Sequence, residues 1–271
     1  QKTAYEIRLS LVGSEMCIRD RIKICLMTNK YMYFIANWKM FGVLNSLNTL
    51  NRVVKFFKNF KKRKSLKIIY CPPSTLIEPM SKKLRGSNIE VGAQNCHEQD
   101  VYGAFTGSVN SSMLKSVGAK YIIIGHSENR QAGETDKLIN LKIKSALKSG
   151  LRVIFCIGET LKAKRKKITK SVLNRQIKAG LKNIKNNKKI IIAYEPVWSI
   201  GSGIIPKSDD LFKTISFIKK EKKNYKVLYG GSVNPKNINQ LKSINNIDGY
   251  LIGGASQDPK KFIDIIKKTY N

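Results

Sequence analysis

Acid is scarce in this chain. Eighteen aspartates and glutamates stand against 51 lysines and arginines in 271 residues, a formal net charge of +33. Such a field could gather nucleic acid or an anionic membrane. The lysines, however, run along most of the chain in helix-like stretches such as KKRK (61–64), KAKRKK (162–167) and KKEKK (219–223), with no basic motif interleaved with aromatics. The charge therefore reads as composition on solvated faces: no specific nucleic-acid partner is expected, and attraction of a small anionic substrate would follow from it. Histidine is scarcer still. His97 and His126 are the whole supply, with no third ligand at metal-binding spacing, so no metal is expected. Five scattered cysteines form no CxxC pair, which argues against a disulfide framework and for a reducing, cytoplasmic setting. No apolar run approaches the roughly 20 residues of a membrane helix, so no membrane partner is expected. GxGxxG after the first strand and GxSxG are both missing, which weakens dinucleotide-binding and serine-nucleophile readings.

Residues 1–31 fall outside the pattern of the rest. They have neither a secretory hydrophobic region nor a cleavage site. LVGSEMCIRDR reads as foreign material ahead of a true start at Met27 or Met32, and the leader is expected to be artefactual or disordered. Residues 32–271 are expected to form one domain.

Across that domain, short apolar, β-branched runs alternate with longer lysine-rich amphipathic ones. The strands are expected at 33–38, 67–70, 88–94, 121–125, 152–158, 190–194, 226–230 and 249–253, each with the near-continuous apolar character of a parallel strand covered on both faces. Helices are expected at 47–60, at 137–150 with a glycine closing it, and at 208–221 with Ser208 or Asp209 as N-cap. Eight βα units in one α/β domain give the count of a (β/α)8 barrel. A doubly wound open sheet is the rival.

Active sites of such barrels lie at the carboxyl ends of the strands. Read there, the chain offers Asn37 and Lys39 after the first strand, His126 after the fourth and Glu195 after the sixth. Glycine-rich turns GGS (230–232) and GGAS (253–256) follow the last two. Two successive glycine turns in front of helices suit a phosphate, although either alone would pass for a tight turn. Glu195 and a neutral His126 facing one substrate could move a proton between adjacent carbons with no cofactor. Glu195 would act as general base, His126 would donate a hydrogen bond to the developing oxyanion, and Lys39 would stabilise that charge. The run WSIGSG (198–203) would close over them and exclude water.

In order along the chain, NWKM (37–40), GAQNC (92–96), GAFTG (103–107), GHSE (125–128), CIGE (156–159), AYEPVWSIGSG (193–203), YGGSV (229–233) and GGAS (253–256) closely resemble the triosephosphate isomerases, from about residue 33 to the C-terminus. A glutamate base beside a neutral histidine under a closing loop is that family's known arrangement. The resemblance implies a homodimeric, cofactor-free glycolytic isomerase of dihydroxyacetone phosphate and D-glyceraldehyde 3-phosphate. It implies Glu195 as base, His126 as electrophile, and substrate contacts from Asn37 and Lys39. Phosphate would be bound through backbone N–H groups of Gly201, Ser232, Gly253 and Gly254. Ser127 and Glu128 would support the site, Glu128 by pairing with Lys39, and residues 95–107 would insert into a partner subunit. Three departures stand out. Ile204-Ile205-Pro206 replaces the usual Lys-Thr/Ser-Ala at the end of the closing loop, Ser108 replaces a glutamate, and Asn129 replaces the first of two arginines. The first bears on closing kinetics, the others on dimer stability. Another phosphosugar barrel enzyme would keep the glycine rim but lack AYEPVW and GHSE. An inactive, polyanion-binding barrel would tolerate loss of Glu195 or His126, and both are present.

Overall fold

Eight short apolar runs pair in chain order, all parallel, and the last closes onto the first. The computed structural model describes residues 31–185 and 188–271. Apart from Tyr31, the leader read over 1–31 lies outside the described residues. The strands are β1 (Met32–Asn37), β2 (Leu66–Cys71), β3 (Glu90–Ala93), β4 (Tyr121–Ile124), β5 (Arg152–Ile157), β6 (Ile190–Tyr194), β7 (Lys226–Tyr229) and β8 (Gly249–Ile252). Between them run α1 (Leu50–Asn59), α2 (Ile77–Lys83), α3 (Ser111–Ser116), α4 (Ser127–Gln131) and α5 (Asp136–Lys148). After these come α6 (Leu161–Arg165), α7 (Thr169–Gly180), α8 (Ser208–Glu221), α9 (Ile238–Lys242) and α10 (Pro259–Tyr270). A closed (β/α)8 barrel, rather than an open doubly wound sheet, is the architecture.

The unbroken apolar character of the strands has a direct cause: alternate residues feed two separate cores. Ile35, Ile69, Ile123, Ile154, Ala193 and Leu228 fill the barrel interior. Their neighbours Phe34, Ile68, Ile122, Phe155 and Ile192 pack outward against the helices. A strand buried on both faces cannot show polar alternation. Trp38 fastens the seam beyond β1, donating from Nε1 to Ser256 O at 3.3 Å, while Gln257 donates to Trp38 O at 2.9 Å.

Element boundaries differ from expectation where backbone angles intervene. The run expected as a strand from Asn88 pairs only from Glu90, because Asn88 sits at φ +61°, outside any strand conformation. Gly125 at φ +75° ends β4 one residue early and turns the chain into the site. The helix expected from residue 47 begins at Leu50, after a 3-10 segment over Leu44–Thr49. α5 is N-capped by Thr135, whose hydroxyl accepts from Leu138 N–H at 3.2 Å, and Gly150 at φ +84° lies beyond its end. α8 corrects its expected cap: Lys207 occupies the N-cap, so Ser208 and Asp209 fall in the first turn, where the acid complements the helix dipole.

Candidate active site

The strand ends bring Asn37, Lys39, His126, Glu195, Gly201, Ser232, Gly253 and Gly254 to the lining of one cavity of about 210 Å³. Each arrives by a distinct local device. Asn37 ends β1, and its Oδ1 accepts from Lys39 N–H at 3.1 Å, holding Lys39 at φ +57°. That left-handed backbone is costly for a side-chain-bearing residue, and such conformations concentrate at functional sites. It turns the ammonium back over the barrel, where Nζ lies 2.6 Å from Glu128 Oε1.

His126 is the N-cap of α4. Its Nδ1 accepts from Glu128 N–H at 3.3 Å. A Glu128 carboxylate oxygen also lies 3.6 Å from Nδ1, beyond hydrogen-bond range. Because Nδ1 is the acceptor, the ring proton belongs on Nε2, and Nε2 points at Glu195 Oε1, 3.2 Å away.

Glu195, at the end of β6, is 2% exposed. Burial raises its carboxyl above the usual carboxylate range. His126, the Ser127 backbone N–H, Lys39 and the Cys156 thiol pull in the opposite direction. The Ser127 N–H donates to Oε2 at 3.2 Å, and the same carboxylate helps push the buried Cys156 thiol well up. The result is a dry carboxylate held by weak donors beside an imidazole N–H, the environment in which a carboxylate is a better base than in water.

The glycines around it do more than form turns. A Cβ on Gly158 would lie 1.7 Å from Glu195 O, and one on Gly230 would lie 2.9 Å from Glu195 Cγ. Gly231 leaves room for the pair Ser199 Oγ and Tyr229 OH, 2.9 Å apart, since its Cβ would meet the tyrosine oxygen at 2.3 Å. The doublet read from sequence as an anion cradle is thus also the space in which the carboxylate and the loop after it fit.

That loop is held at both ends and loose between them. At its start Trp198 Nε1 donates to Glu159 Oε1 at 2.8 Å, and Val197 N–H donates to Glu159 O at 3.1 Å. Glu159, fully buried and also bonded by Tyr194 OH, is raised by burial. Gly201 and Gly203 adopt φ +70° and +75° in the exposed middle. At the far end Ser199 Oγ donates to Ile204 O at 2.6 Å, Ile205 packs on the core and Pro206 is buried. At the Ile-Ile-Pro departure the loop's far end is therefore held by the apolar contacts of Ile205 and Pro206.

Residues that sequence reasoning set aside or missed are accounted for. His97 does not line the cavity: its ring packs against Phe105 with centroids 4.5 Å apart and planes tilted by 39°. Glu128 is not in the cavity lining, and its carboxylate pairs with Lys39. Cys156 and Glu159 read only as part of a motif in sequence, and β5, adjacent to β6, puts both against the Glu195 segment. At the Asn129 departure, Arg130 retains its own network, pairing with Asp136 at 2.6 Å and donating to Gly125 O at 2.8 Å.

Comparison with known proteins gives a consistent answer. The family model described as triosephosphate isomerase matches residues 32–269. A triosephosphate isomerase from Thermodesulfovibrio yellowstonii is 40% identical over 244 residues, covering 87% of this chain and 98% of its own. One from Carboxydothermus hydrogenoformans is 43% identical over 212 residues, covering 74% and 84%. The crystal structure of a triosephosphate isomerase from Bartonella henselae superposes with a TM-score of 0.80 at 34% identity, over 89% of this chain and 100% of that one.

Proposed function

The chain belongs to the triosephosphate isomerase family, and from that premise we propose how its residues carry the family reaction. The protein is a cofactor-independent isomerase that interconverts dihydroxyacetone phosphate and D-glyceraldehyde 3-phosphate. Glu195 removes the carbon-bound proton and returns it to the adjacent carbon. His126, with its proton on Nε2, donates to the substrate oxygen that becomes negative in the enediolate. These two roles contribute roughly 10²–10⁴ and a comparable electrostatic factor to the rate.

Lys39 supplies positive charge to the oxyanion and the phosphate, and Asn37 sets the Lys39 turn. Ser127 holds the carboxylate through its backbone N–H, and Glu128 holds Lys39. Backbone N–H groups of Gly201, Ser232, Gly253 and Gly254 receive the phosphate. An enediolate phosphate loses its phosphate readily in water, so closure of the 197–203 loop protects the intermediate as well as dehydrating Glu195. The observation that carries this reading is the 3.2 Å approach of His126 Nε2 to a buried Glu195 carboxylate inside a glycine-rimmed cavity. A coupled assay in both directions on the parent and on Glu195→Gln tests it. Interconversion by Glu195→Gln at the parent's rate would speak against proton transfer through Glu195.

The chain works as a homodimer in this reading. Met40 is 99% exposed, and Phe41, Val43 and Leu44 beside it are exposed too, as are Val101, Tyr102 and Phe105 in the 95–107 segment. Gln94 Nε2 joins the two loops by donating to Lys39 O at 2.9 Å. Apolar groups this dense on two adjoining loops support that reading, since exposed apolar patches of this kind suit a protein partner. A sedimenting monomer at every concentration would contradict it. We place the protein in the cytoplasm, in keeping with free thiols at Cys71, Cys96 and Cys156. Among the described residues no helix is long and apolar enough to cross a membrane. Recovery of the activity inside a sealed, oxidising compartment would contradict that location. The segment before residue 32 is read as dispensable, and an inactive truncation lacking 1–26 would refute this.

A further inference from the structure

Lysines that look dispersed in sequence are gathered by the fold. In a (β/α)8 barrel every helix starts at the catalytic mouth and ends at the opposite end, the floor. Helix dipoles alone favour acid at the mouth and cations at the floor. Accordingly Glu128, Asp136 and Asp209 lie in first turns, and Lys58, Lys148 and Lys219 in last turns. The dipole fades beyond the last turn, yet the floor loops beyond it are as cationic again. KKRK (61–64) leads into β2, Lys182, Lys185, Lys188 and Lys189 precede β6, and KKNY (222–225) leads into β7, with no acid among these described residues. The few acids near this end are largely committed. Glu90 pairs with Lys67 at 2.7 Å and Lys120 at 3.4 Å, and Asp248 is buried against Lys219 at 2.6 Å. Among the described residues, the large apolar side chains that are exposed lie elsewhere, except Tyr31 at the start of β1.

We propose that the floor of the barrel is a docking surface for an anionic lipid bilayer, bound through headgroup charge without insertion. The closed topology places the floor loops at one end of a cylinder, a shape that meets a plane. The floor cations are mostly lysines, whose ammoniums are point charges without the forked geometry that reads bases, and of the arginines there Arg63 donates to Lys58 O at 3.2 Å and Arg152 to Tyr121 OH at 3.0 Å. One exposed aromatic is no stacking platform for single-stranded nucleic acid. Laterally mobile lipids can gather under irregularly spaced lysines, whereas phosphates along a nucleic acid hold a fixed spacing. Docked this way, the mouth faces solution and substrate enters freely.

The test is co-sedimentation of the full chain with vesicles of phosphatidylcholine, alone or mixed with phosphatidylserine. Binding to the mixed vesicles only, weakening as salt is raised, is expected. Replacing exposed floor lysines together, Lys61→Gln, Lys185→Gln, Lys188→Gln and Lys223→Gln, should weaken it about a hundredfold or more, on a scale of about fivefold per lysine near an anionic surface. The same number of changes at the mouth, Lys162→Gln, Lys166→Gln, Lys207→Gln and Lys260→Gln, should leave binding near the parent's, and bound enzyme should keep its isomerase activity. Absence of binding at physiological salt, equal losses in the two variants, inactivity of the bound enzyme, or complete displacement by equimolar single-stranded RNA would each overturn the proposal.

Discussion

The ring of His126 is fixed from one side and aimed from the other: Nδ1 accepts from Glu128 N–H at 3.3 Å, and Nε2 faces Glu195 Oε1 at 3.2 Å. The start of α4 therefore selects the tautomer that can donate to substrate. Nitrogen NMR of the ligand-free enzyme at neutral pH should report the His126 proton on Nε2, and a proton resident on Nδ1 would contradict this arrangement.

Burial of Glu195 has consequences for both activity and stability. Its folded carboxyl is raised, so it keeps its proton to higher pH than in the unfolded chain. Stability should then fall as pH rises from the ordinary carboxylate value of 4.5 through the raised folded one, and stay flat above. The acid limb of kcat/KM should lie above 4.5 for the same reason, since only the ionised base works. Cys156→Ala removes a donor that favours ionisation and should move that limb upward. A limb unmoved or shifted downward would exclude the thiol from tuning the base. Glu195→Gln should melt higher than the parent at neutral pH.

Two glycines next to Glu195 should separate chemistry from folding. In Gly230→Ala the new carbon meets Glu195 Cγ at 2.9 Å, and displacing the carboxylate should lower kcat by about 10²-fold with the fold intact. Gly158→Ala meets backbone at 1.7 Å, and should cost about 3 kcal/mol or more of stability. Steady-state kinetics and thermal melts on the two variants check the contrast; a Gly230→Ala enzyme at full turnover would show that the carboxylate has slack.

Lys39 is strained in backbone and paired at its tip with Glu128, so changes at the two members of that pair should differ in effect. Lys39→Met should weaken substrate and phosphate analogues together. Glu128→Gln loses only the half-exposed pair of 2.6 Å, worth up to about 1 kcal/mol, and should change affinity by less than about tenfold. Calorimetric titration with a phosphate analogue decides; unchanged affinity in Lys39→Met removes that side chain from the site.

Much of this molecule was legible in its sequence because parallel strands buried on two faces leave uninterrupted apolar runs, such as IIIAY (190–194), and because strand ends announce their polar residues. What escaped depended on backbone angles or on neighbours across the sheet. Asn88 at φ +61° shortened β3, and Lys207 displaced the expected caps of α8. The support that Cys156 and Glu159 give the Glu195 segment required β5 and β6 side by side. The glycine doublet carried a phosphate signal, but its second task, leaving room for Glu195 and Ser199, shows only in three dimensions. Charge sorting between mouth and floor is likewise a property of eight parallel units closing into a ring.

The central claim, that Glu195 is the base in a preformed site, is tested most directly by measuring kcat and phosphate-analogue affinity of Glu195→Asp beside the parent enzyme. Shortening the side chain withdraws the carboxylate while leaving the phosphate cradle in place, so turnover should fall by about 10²-fold or more with affinity nearly unchanged. Turnover near the parent's would contradict the account.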